Sequence, residues 1–553
     1  MPKPNPTSLK VAYFTMEIGL QSDIPTYAGG LGMLAADIMR SCADMSVSAA
    51  CITIGWQHGY MRQKIRLDGT QDYEDITWDP SKYMKRLTEK VSVTIEGRSI
   101  AIGGWVYALK GVPIIFLDTN LEENTPEDCA ITEHLYGGDG GMRIKQELVL
   151  GIGGVRMLRA MGYGTEDIGT YHMNEGHAAF LTLELLRERD YKDEEVRRSC
   201  AFTTHTPIAA GHDYFDYDFA WKMCGDALPW HIQKLAGQDR LGMTQLAMHL
   251  SHYTCGVSQV HGEVSRGMFP GENIDAITNG IHHYTWASPE MKMLLDTHIP
   301  GWKEHPELLT KECRNLPDAE LWMAHQNAKK RLIAEVNKHT VTPFNDEILT
   351  IASARRVVSY KRPELLYENL ERLREVCRGK VQIIHAGNAH PADHFAQSVI
   401  QRMIERSQLL KDFVRIVYLP NYNPDLAKLL VQGADVWLNT PMRLHEASGT
   451  SGMKACLNGV LNLSTLDGWW IEAYERDPEA GWRIGPLAPA HDSAEHRKID
   501  AEDIYTDLQY QIIPEYEYEG HKRWIRRMKR SIGLIGYFNT HRAVREYMER
   551  AWK

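Results

Sequence analysis

The sequence predicts an α/β protein built on two doubly wound parallel sheets, and three observations carry that reading. Short runs of strand-forming apolar residues recur along the chain, each ending in a polar or glycine-rich tip. These runs fall into two series with a long amphipathic helix between them. At 553 residues the chain also exceeds what one hydrophobic core supports, which implies about two to four domains.

The first series opens with LKVAYFTME, Leu9 to Glu17, followed by TYAGGLGMLAADIMRSCADM, which reads as strand, glycine loop and helix. VPIIFLD, IGTYHMNEGHAAFLTLELL, RSCAFTTHTPIAA and NIDAITNGIHH repeat the pattern. ELWMAHQNAKKRLIAEVNKHT then reads as a helix with an apolar face at Leu321, Met323, Ala324, Ala328, Leu332 and Val336, placing a domain boundary between residues 310 and 340. The second series runs through DEILTIASARRVVSYKRPEL, KVQIIHAGNAH, FVRIVYLPNY and GADVWLNTP, each a strand with chemistry at its C-terminal end. From DIYTDLQYQIIPEYE to REYMERAW the chain reads as helical. Within that stretch HKRWIRRMKR suggests a basic surface, but Trp524, Ile525 and Met528 at helical spacing favour a packing helix.

Composition narrows the function. No apolar stretch is long enough to span a bilayer, and MPKPNPTSLKVAYF lacks a signal peptide's apolar segment, so a cytoplasmic protein is expected. Nine cysteines lie singly, without CxxC or zinc spacing, as suits reduced thiols. A net charge of −10 argues against a nucleic-acid partner, which would need a basic face.

Four stretches carry chemistry. The glycine run Ala28-Gly29-Gly30-Leu31-Gly32 sits where backbone N–H groups converge on a helix start, and it reads as a phosphate cradle or as a tight turn. In ASARRVVSYKRPE the cations Arg355, Arg356, Lys361 and Arg362 directly follow a strand. A guanidinium grips phosphate oxygens with two prongs and an ammonium acts as a point charge, so Arg356 with Lys361 suits a phosphate. HMNEGHAAF and TTHTPIAAGHD offer Asn174, Glu175, His177, His205, Thr206 and His212 to sugar hydroxyls; their histidines lack a ligand spacing, and no metal is expected. In EASGTSGMKACLNG, Lys454 stands behind Ser448, Gly449, Thr450, Ser451 and Gly452. A lysine whose neutral form is favoured attacks an aldehyde, and the small residues ahead of it suit a phosphate, a pairing that matches pyridoxal phosphate. A helix-starting loop with an exposed lysine fits the local composition equally well.

On these residues the chain resembles the α-glucan phosphorylases, the glycogen and maltodextrin phosphorylase family, in a compact form. EASGTSGMKACLNGVLNLSTLDG is similar to the family's pyridoxal phosphate lysine segment, and YAGGLGMLAAD, GGMRIKQE, THT, ITNGI with Trp286, and RRVVSYKR match other family segments in the same order. The resemblance implies the GT-B fold, two Rossmann-like domains facing across a cleft. Residues 1–315 would form the first domain and 316–520 the second, with the helices of 521–553 packing back on the first. It implies pyridoxal 5′-phosphate working through its phosphate group, and reversible phosphorolysis of the non-reducing terminal α-1,4-glucosyl unit to glucose 1-phosphate with retention. Carried over by residue, Lys454 is the Schiff-base lysine, Thr450, Ser451 and Arg355 hold the cofactor phosphate, and Trp286 lies near the ring with Gly30 alongside. Arg356, Lys361 and Gly30 hold orthophosphate, and Lys454, Arg356, Lys361 and His205 form the catalytic set. His205, Asn279, Glu446, Ser448, Gly449 and Tyr360 bind the glucosyl hydroxyls with Gly29 beside them, while Glu175 and His177 lie toward the rest of the glucan.

The implied partners are glycogen or maltodextrin, orthophosphate, glucose 1-phosphate and a second copy of the chain. Four positions depart from the family pattern: Asn388 for lysine, Asn423 for arginine, Val358 for histidine and Met33 for arginine. Vertebrate-type control by phosphorylation or nucleotides is not expected. Two rivals remain. A GT-B sugar-nucleotide glucosyltransferase would carry a ribose-binding glutamate in this segment, where Lys454 fits the cofactor instead. An inactive glucan-binding homologue is opposed by retention of Lys454, Arg356, Lys361 and the glycine loop.

Overall fold

The computed structural model describes residues 8–66, 68–487 and 493–553. The strand Leu9–Thr15 is buried on both faces, because Val11, Ala12, Tyr13 and Phe14 send side chains into cores above and below it. It pairs in parallel with Ala49–Ile54 on one side and Ile168–Asn174 on the other. Parallel pairing continues through Val112–Asp118 on one flank and through Cys200–Thr203, Tyr253–Gly256 and Asp275–Ala276 on the other. Numbered along the chain, these strands run 3-2-1-4-5-6-7.

The second sheet is wholly parallel, in the spatial order Arg415–Leu419, Val381–Ala386, Leu349–Ala354, Val436–Asn439, Leu461–Thr465, Gly481–Ile484. That is 3-2-1-4-5-6 along the chain, again doubly wound. The mixed α/β layout with parallel sheets therefore follows the sequence reading. In such sheets ligands gather beyond the strand ends where the order reverses. The reversals fall between Leu9–Thr15 and Ile168–Asn174, and between Leu349–Ala354 and Val436–Asn439.

Several elements escape the sequence reading. Arg98–Leu109, Lys85–Arg86 and Val91–Ile95 add antiparallel strands beside Val112–Asp118, and His58–Ile65 pairs with Gln71–Thr77 as a separate hairpin. His58–Ile65 and Gln71–Thr77 are half-exposed and mixed in character, without the continuous apolar run that marks the parallel core, whereas Arg98–Leu109 does carry one from Ile100 onward and is simply missed by the sequence reading. On the helix Asp318–Val336 the expected core residue Met323 is 58% exposed, while His325 and Lys329 are buried. Leu321, Ala324, Ala328, Leu332 and Val336 keep the helical spacing, and Met323 falls on the opposite side.

The C-terminal stretch forms Ala494–Asp507, Ile513–Glu517, Lys522–Leu534 and Thr540–Arg550. Lys522–Leu534 buries Trp524, Ile525 and Met528, each worth about 1.5–3 kcal/mol, and packs on the helix Thr450–Leu457. Thr540–Arg550 packs instead on the first helix, Gly30–Asp44, and just beyond it the Trp552 indole N–H donates to His172 Nδ1 at 2.9 Å. All nine cysteines are free thiols, and only Cys129 is not fully buried. Among the described residues no helix is long and apolar enough to cross a membrane.

Candidate active site

The helix Thr450–Leu457 starts immediately after Gly449, whose φ of 87° is left-handed and favours glycine. Its first N–H groups have no intrahelical acceptor and form a natural anion seat. One turn on, Lys454 turns inward, with its Nζ 3.9 Å from the centre of the Trp286 ring. The Trp286 indole N–H donates to Asp37 Oδ2 at 2.8 Å, and Asn458 Nδ2 donates to the carbonyls of both Trp286 and Lys454. Burial pushes the Lys454 amine down to about 8, with Asp37 opposing and Arg40 assisting. Neutral amine is the reactive form, so labelling of Lys454 by an aldehyde and borohydride should rise with pH through a midpoint near 8. Peptide mass spectrometry across a pH series checks this; a midpoint at the ordinary lysine value would contradict it.

Beside this helix start, Arg355 donates through Nη2 to the Leu438 carbonyl at 2.9 Å. Its Nη1 is buried without a hydrogen-bond partner among the described residues, as is Ser448 Oγ. Burial pushes the Arg355 guanidinium down to about 10, against the pull of Glu446. A cation held where its charge is costly, with a free donor, is suited to receive an anion.

Lys361 forms an ion pair with Glu446 and lies 5.0 Å from the Tyr360 ring centre. The turn carrying it ends at Arg362, whose guanidinium donates to the Thr440 and Pro441 carbonyls at 3.0 Å each. Asp467 accepts from the Glu446 and His445 N–H groups at 2.8 and 3.1 Å, and so sets the conformation of the loop before Ser448. Burial, with Glu446 nearby, pushes the Asp467 carboxyl up to about 7. Arg356 is different. Burial works against its charge, yet Tyr360, Tyr60, Tyr136 and Glu17 around it hold its pKa above the ordinary value.

The tips of the first sheet face these groups. Glu17 accepts from the Ala28 and Gly29 N–H groups at 2.6 and 3.1 Å and from the Tyr136 hydroxyl at 2.9 Å, fixing the glycine loop. A Cβ on Gly29 or Gly30 would meet nothing within 4 Å, so this loop borders open space. His205 donates through Nε2 to Asn174 Oδ1 at 2.6 Å, since the Asn174 amide nitrogen is engaged with Thr15. Burial pushes the His205 ring down to about 4, so it is neutral. Glu175, at φ 77°, accepts from the His205 N–H at 2.7 Å and the Thr206 hydroxyl at 2.9 Å. His177 Nε2 lies 3.5 Å from Asp213, with the Tyr136 ring against it. Asn279 is buried, its N–H on the Val257 carbonyl and its own carbonyl accepting from Arg542.

The two halves touch where the Ser258 hydroxyl donates to the Ala447 carbonyl at 2.6 Å and the Thr278 hydroxyl bonds Glu472. Arg355, Tyr360, Lys361, Glu446, Ser448 and Gly449 thus form one cluster, and Lys454 with Trp286 adjoins it through the helix start. Glu175, His177 and His205 form another on the first sheet, and among the described residues no hydrogen bond or ion pair joins His205 to Glu446 or Lys361. Sequence reasoning missed Glu17, Asp37, Tyr60, Tyr136 and Asp467. Glu17 had a signal, an acid at a strand tip ahead of a glycine loop; the two tyrosines had none. Of the departures, Asn388 exchanges hydrogen bonds with the Tyr422 backbone, and Asn423 caps the helix Pro424–Gly433.

Residues 225–509 match the carbohydrate phosphorylase family. A maltodextrin phosphorylase of Thermococcus litoralis is 37% identical, covering 98% of this chain and 70% of that protein. A glycogen phosphorylase of Mycobacterium tuberculosis is 33% identical with the same coverage. An uncharacterized protein of Methanocaldococcus jannaschii, 31% identical, is covered over 99% of its length. The chain belongs to the carbohydrate phosphorylase family of glycosyltransferase-type enzymes.

Proposed function

We propose that this protein is an α-1,4-glucan phosphorylase of the GT-B type, acting in the cytoplasm on glycogen or maltodextrin, orthophosphate and glucose 1-phosphate, and assembling as a homodimer. Residues 1–315 and 316–520 are its two domains, and of the helices in 521–553 the last, Thr540–Arg550, returns to the first domain. The observation that carries the reading is Lys454, a buried amine of depressed pKa over Trp286. It lies in a chain 37% identical to a maltodextrin phosphorylase.

The residues fit pyridoxal 5′-phosphate. An unpartnered Arg355 Nη1 and Ser448 Oγ stand beside the helix start that carries Thr450 and Ser451, and the amine needed to hold an aldehyde is one turn away. When bound, the cofactor supplies a phosphate group able to exchange a proton with the substrate phosphate. Lys454 holds it in place, Trp286 flanks the amine, and Arg355, Thr450 and Ser451 take its phosphate. Arg356, Lys361 and the Gly30 N–H receive orthophosphate, whose proton passes to the departing glycosidic oxygen. No pair of protein carboxyls is then needed as acid and nucleophile.

Glu446, Ser448, Gly449, Tyr360 and Asn279 hold the glucosyl hydroxyls, with Gly29 beside them. His205, neutral and donating to Asn174, keeps Nδ1 as an acceptor for the same sugar. Glu175 and His177 face the rest of the glucan. Positive charge that develops on the glucosyl unit as the glycosidic bond opens is balanced by the neighbouring phosphate and backbone carbonyls, an electrostatic effect that is usually the largest in catalysis.

Borohydride reduction of protein loaded with pyridoxal phosphate, followed by peptide mass spectrometry, tests this beside a phosphate-dependent maltoheptaose assay. A pyridoxyl adduct on Lys454 with glucose 1-phosphate release is expected. Neither adduct nor release would leave an inactive glucan-binding homologue as the reading.

A further inference from the structure

At the other end of the first helix from the glycine loop, three polar side chains from distant parts of the chain converge. Asp44 ends the first helix, His282 follows the loop after Asp275–Ala276, and His541 lies in the first turn of Thr540–Arg550. One ligand atom from each lies within 4.8 Å of the others. His282 Nε2 is 2.8 Å from Asp44 Oδ2, and His541 Nε2 is 3.9 Å from the same oxygen. These spacings bracket the ~3.3 Å between ligands of a tetrahedral ion with bonds of about 2.0–2.1 Å.

His541 makes the cluster more than an ion pair. It is 2% exposed, and neither of its ring nitrogens has a hydrogen-bond partner among the described residues. Buried polar groups are nearly always satisfied, and an orphaned imidazole edge facing a carboxylate and a second imidazole is the arrangement a cation resolves. The surrounding frame holds the three groups in register. The Thr540 N–H donates to the Ile281 carbonyl at 2.9 Å, and the Ser41 and Thr540 hydroxyls are 2.6 Å apart. His282 Nδ1 lies 2.6 Å from the Thr285 hydroxyl and accepts from the Thr285 N–H at 3.3 Å, so Nε2 carries the proton it gives to Asp44; binding an ion at Nε2 moves that proton to Nδ1, which then donates to the Thr285 hydroxyl as the outer contact of a ligating histidine. The opposing charge, Lys110, sits on Asp44 Oδ1 with its side chain 62% exposed, and Oδ2, which accepts from His282 Nε2, is the oxygen the ion would take.

We propose that Asp44, His282 and His541 bind one divalent transition-metal ion, Zn²⁺ being the best match to two imidazoles and a carboxylate with water as the fourth ligand. The ion fastens the C-terminal helix to the helix that carries Asp37. Since Asp37 holds the Trp286 indole over Lys454, the same ion braces one wall of the candidate active site.

The test strips the purified full-length protein with a chelator and titrates it with Co²⁺ alone. Wild type is expected to take up one equivalent with the visible bands of four-coordinate cobalt, displaced by Zn²⁺. Its melting temperature should rise with added Zn²⁺. His541→Gln is expected to weaken binding by at least the 10–100-fold that loss of an outer partner costs, about the minimum for a ligand, and to abolish the thermal response. Wild type that binds neither ion would overturn the proposal, as would unchanged binding in His541→Gln. If that variant does not fold, anomalous diffraction at the zinc edge on wild-type crystals decides. A peak among Asp44, His282 and His541 supports the site. No peak there overturns it, including ions found only at His58, Glu133 and His134 or at Glu147, His177 and Asp213.

Discussion

Replacing Arg356 with glutamine should lower kcat/KM for glucan phosphorolysis by about 10²–10³-fold, the usual loss when one preorganised donor to developing charge is removed. The expectation rests on position and on charge. Arg356 lies just beyond the strand Leu349–Ala354, where the second sheet reverses its order and ligands gather. Its guanidinium is buried, which by itself disfavours the charge, yet its pKa stays above the ordinary value with Tyr360, Tyr60, Tyr136 and Glu17 around it. Glu17 is the same carboxylate that orders the glycine loop, so Arg356 and that loop share a charged neighbour. Glutamine keeps much of the side chain and removes the fork. Lysine restores the charge as a single point, so Arg356→Lys should recover only part of the loss. Steady-state kinetics with phosphate and glucan varied separately is the measurement, and the effect should fall on the phosphate dependence. Unchanged kinetics would remove Arg356 from the phosphate site.

The parallel cores were legible because strands buried on both faces must be apolar throughout, and runs such as VPIIFLD and VQIIHA announce themselves. Half-exposed strands such as Gln71–Thr77 carry no such mark, because solvent tolerates their polar residues. The lysine loop was legible because its chemistry is local: Ser448, Gly449, Thr450 and Lys454 lie within two turns of chain. What the sequence hid is what depends on distance along the chain. Tyr60 and Tyr136 reach Arg356 only after the chain has folded across hundreds of residues, and nothing in their own neighbourhoods marks them. The same holds for Asp37, whose contact with Trp286 joins the first helix to the short helix His283–Trp286, the two residues lying 249 positions apart.

The helix Asp318–Val336 shows how far such hidden pairing reaches into stability. Asp435→Ala should cost about 3–5 kcal/mol, the range for stranding one member of a buried ion pair. Asp435 is wholly buried at the start of the strand Val436–Asn439, where Oδ2 accepts from Lys329 Nζ at 2.5 Å and the Thr350 N–H at 2.7 Å. Oδ1 faces His325 Nε2 at 2.8 Å. Lys329 also donates to the Ile348 carbonyl at 2.8 Å and the Tyr516 hydroxyl at 2.7 Å, so the pair binds the helix, the sheet and the C-terminal segment into one body. Removing Asp435 leaves an ammonium with no counter-charge in a dry interior, and burial already disfavours that charge. Replacing the three ionisable side chains with apolar residues of similar volume, Asp435→Leu with Lys329→Met and His325→Leu, should recover part of the loss, because the charges were costly to bury in the first place, while the Thr350 N–H and Ile348 carbonyl still lose a partner. The single change must therefore be worse than the triple, an inversion that simple loss of contacts does not produce. Denaturant unfolding of the wild type and both variants measures it, and a triple variant at least as unstable as the single would show that the buried charges stabilise the fold outright.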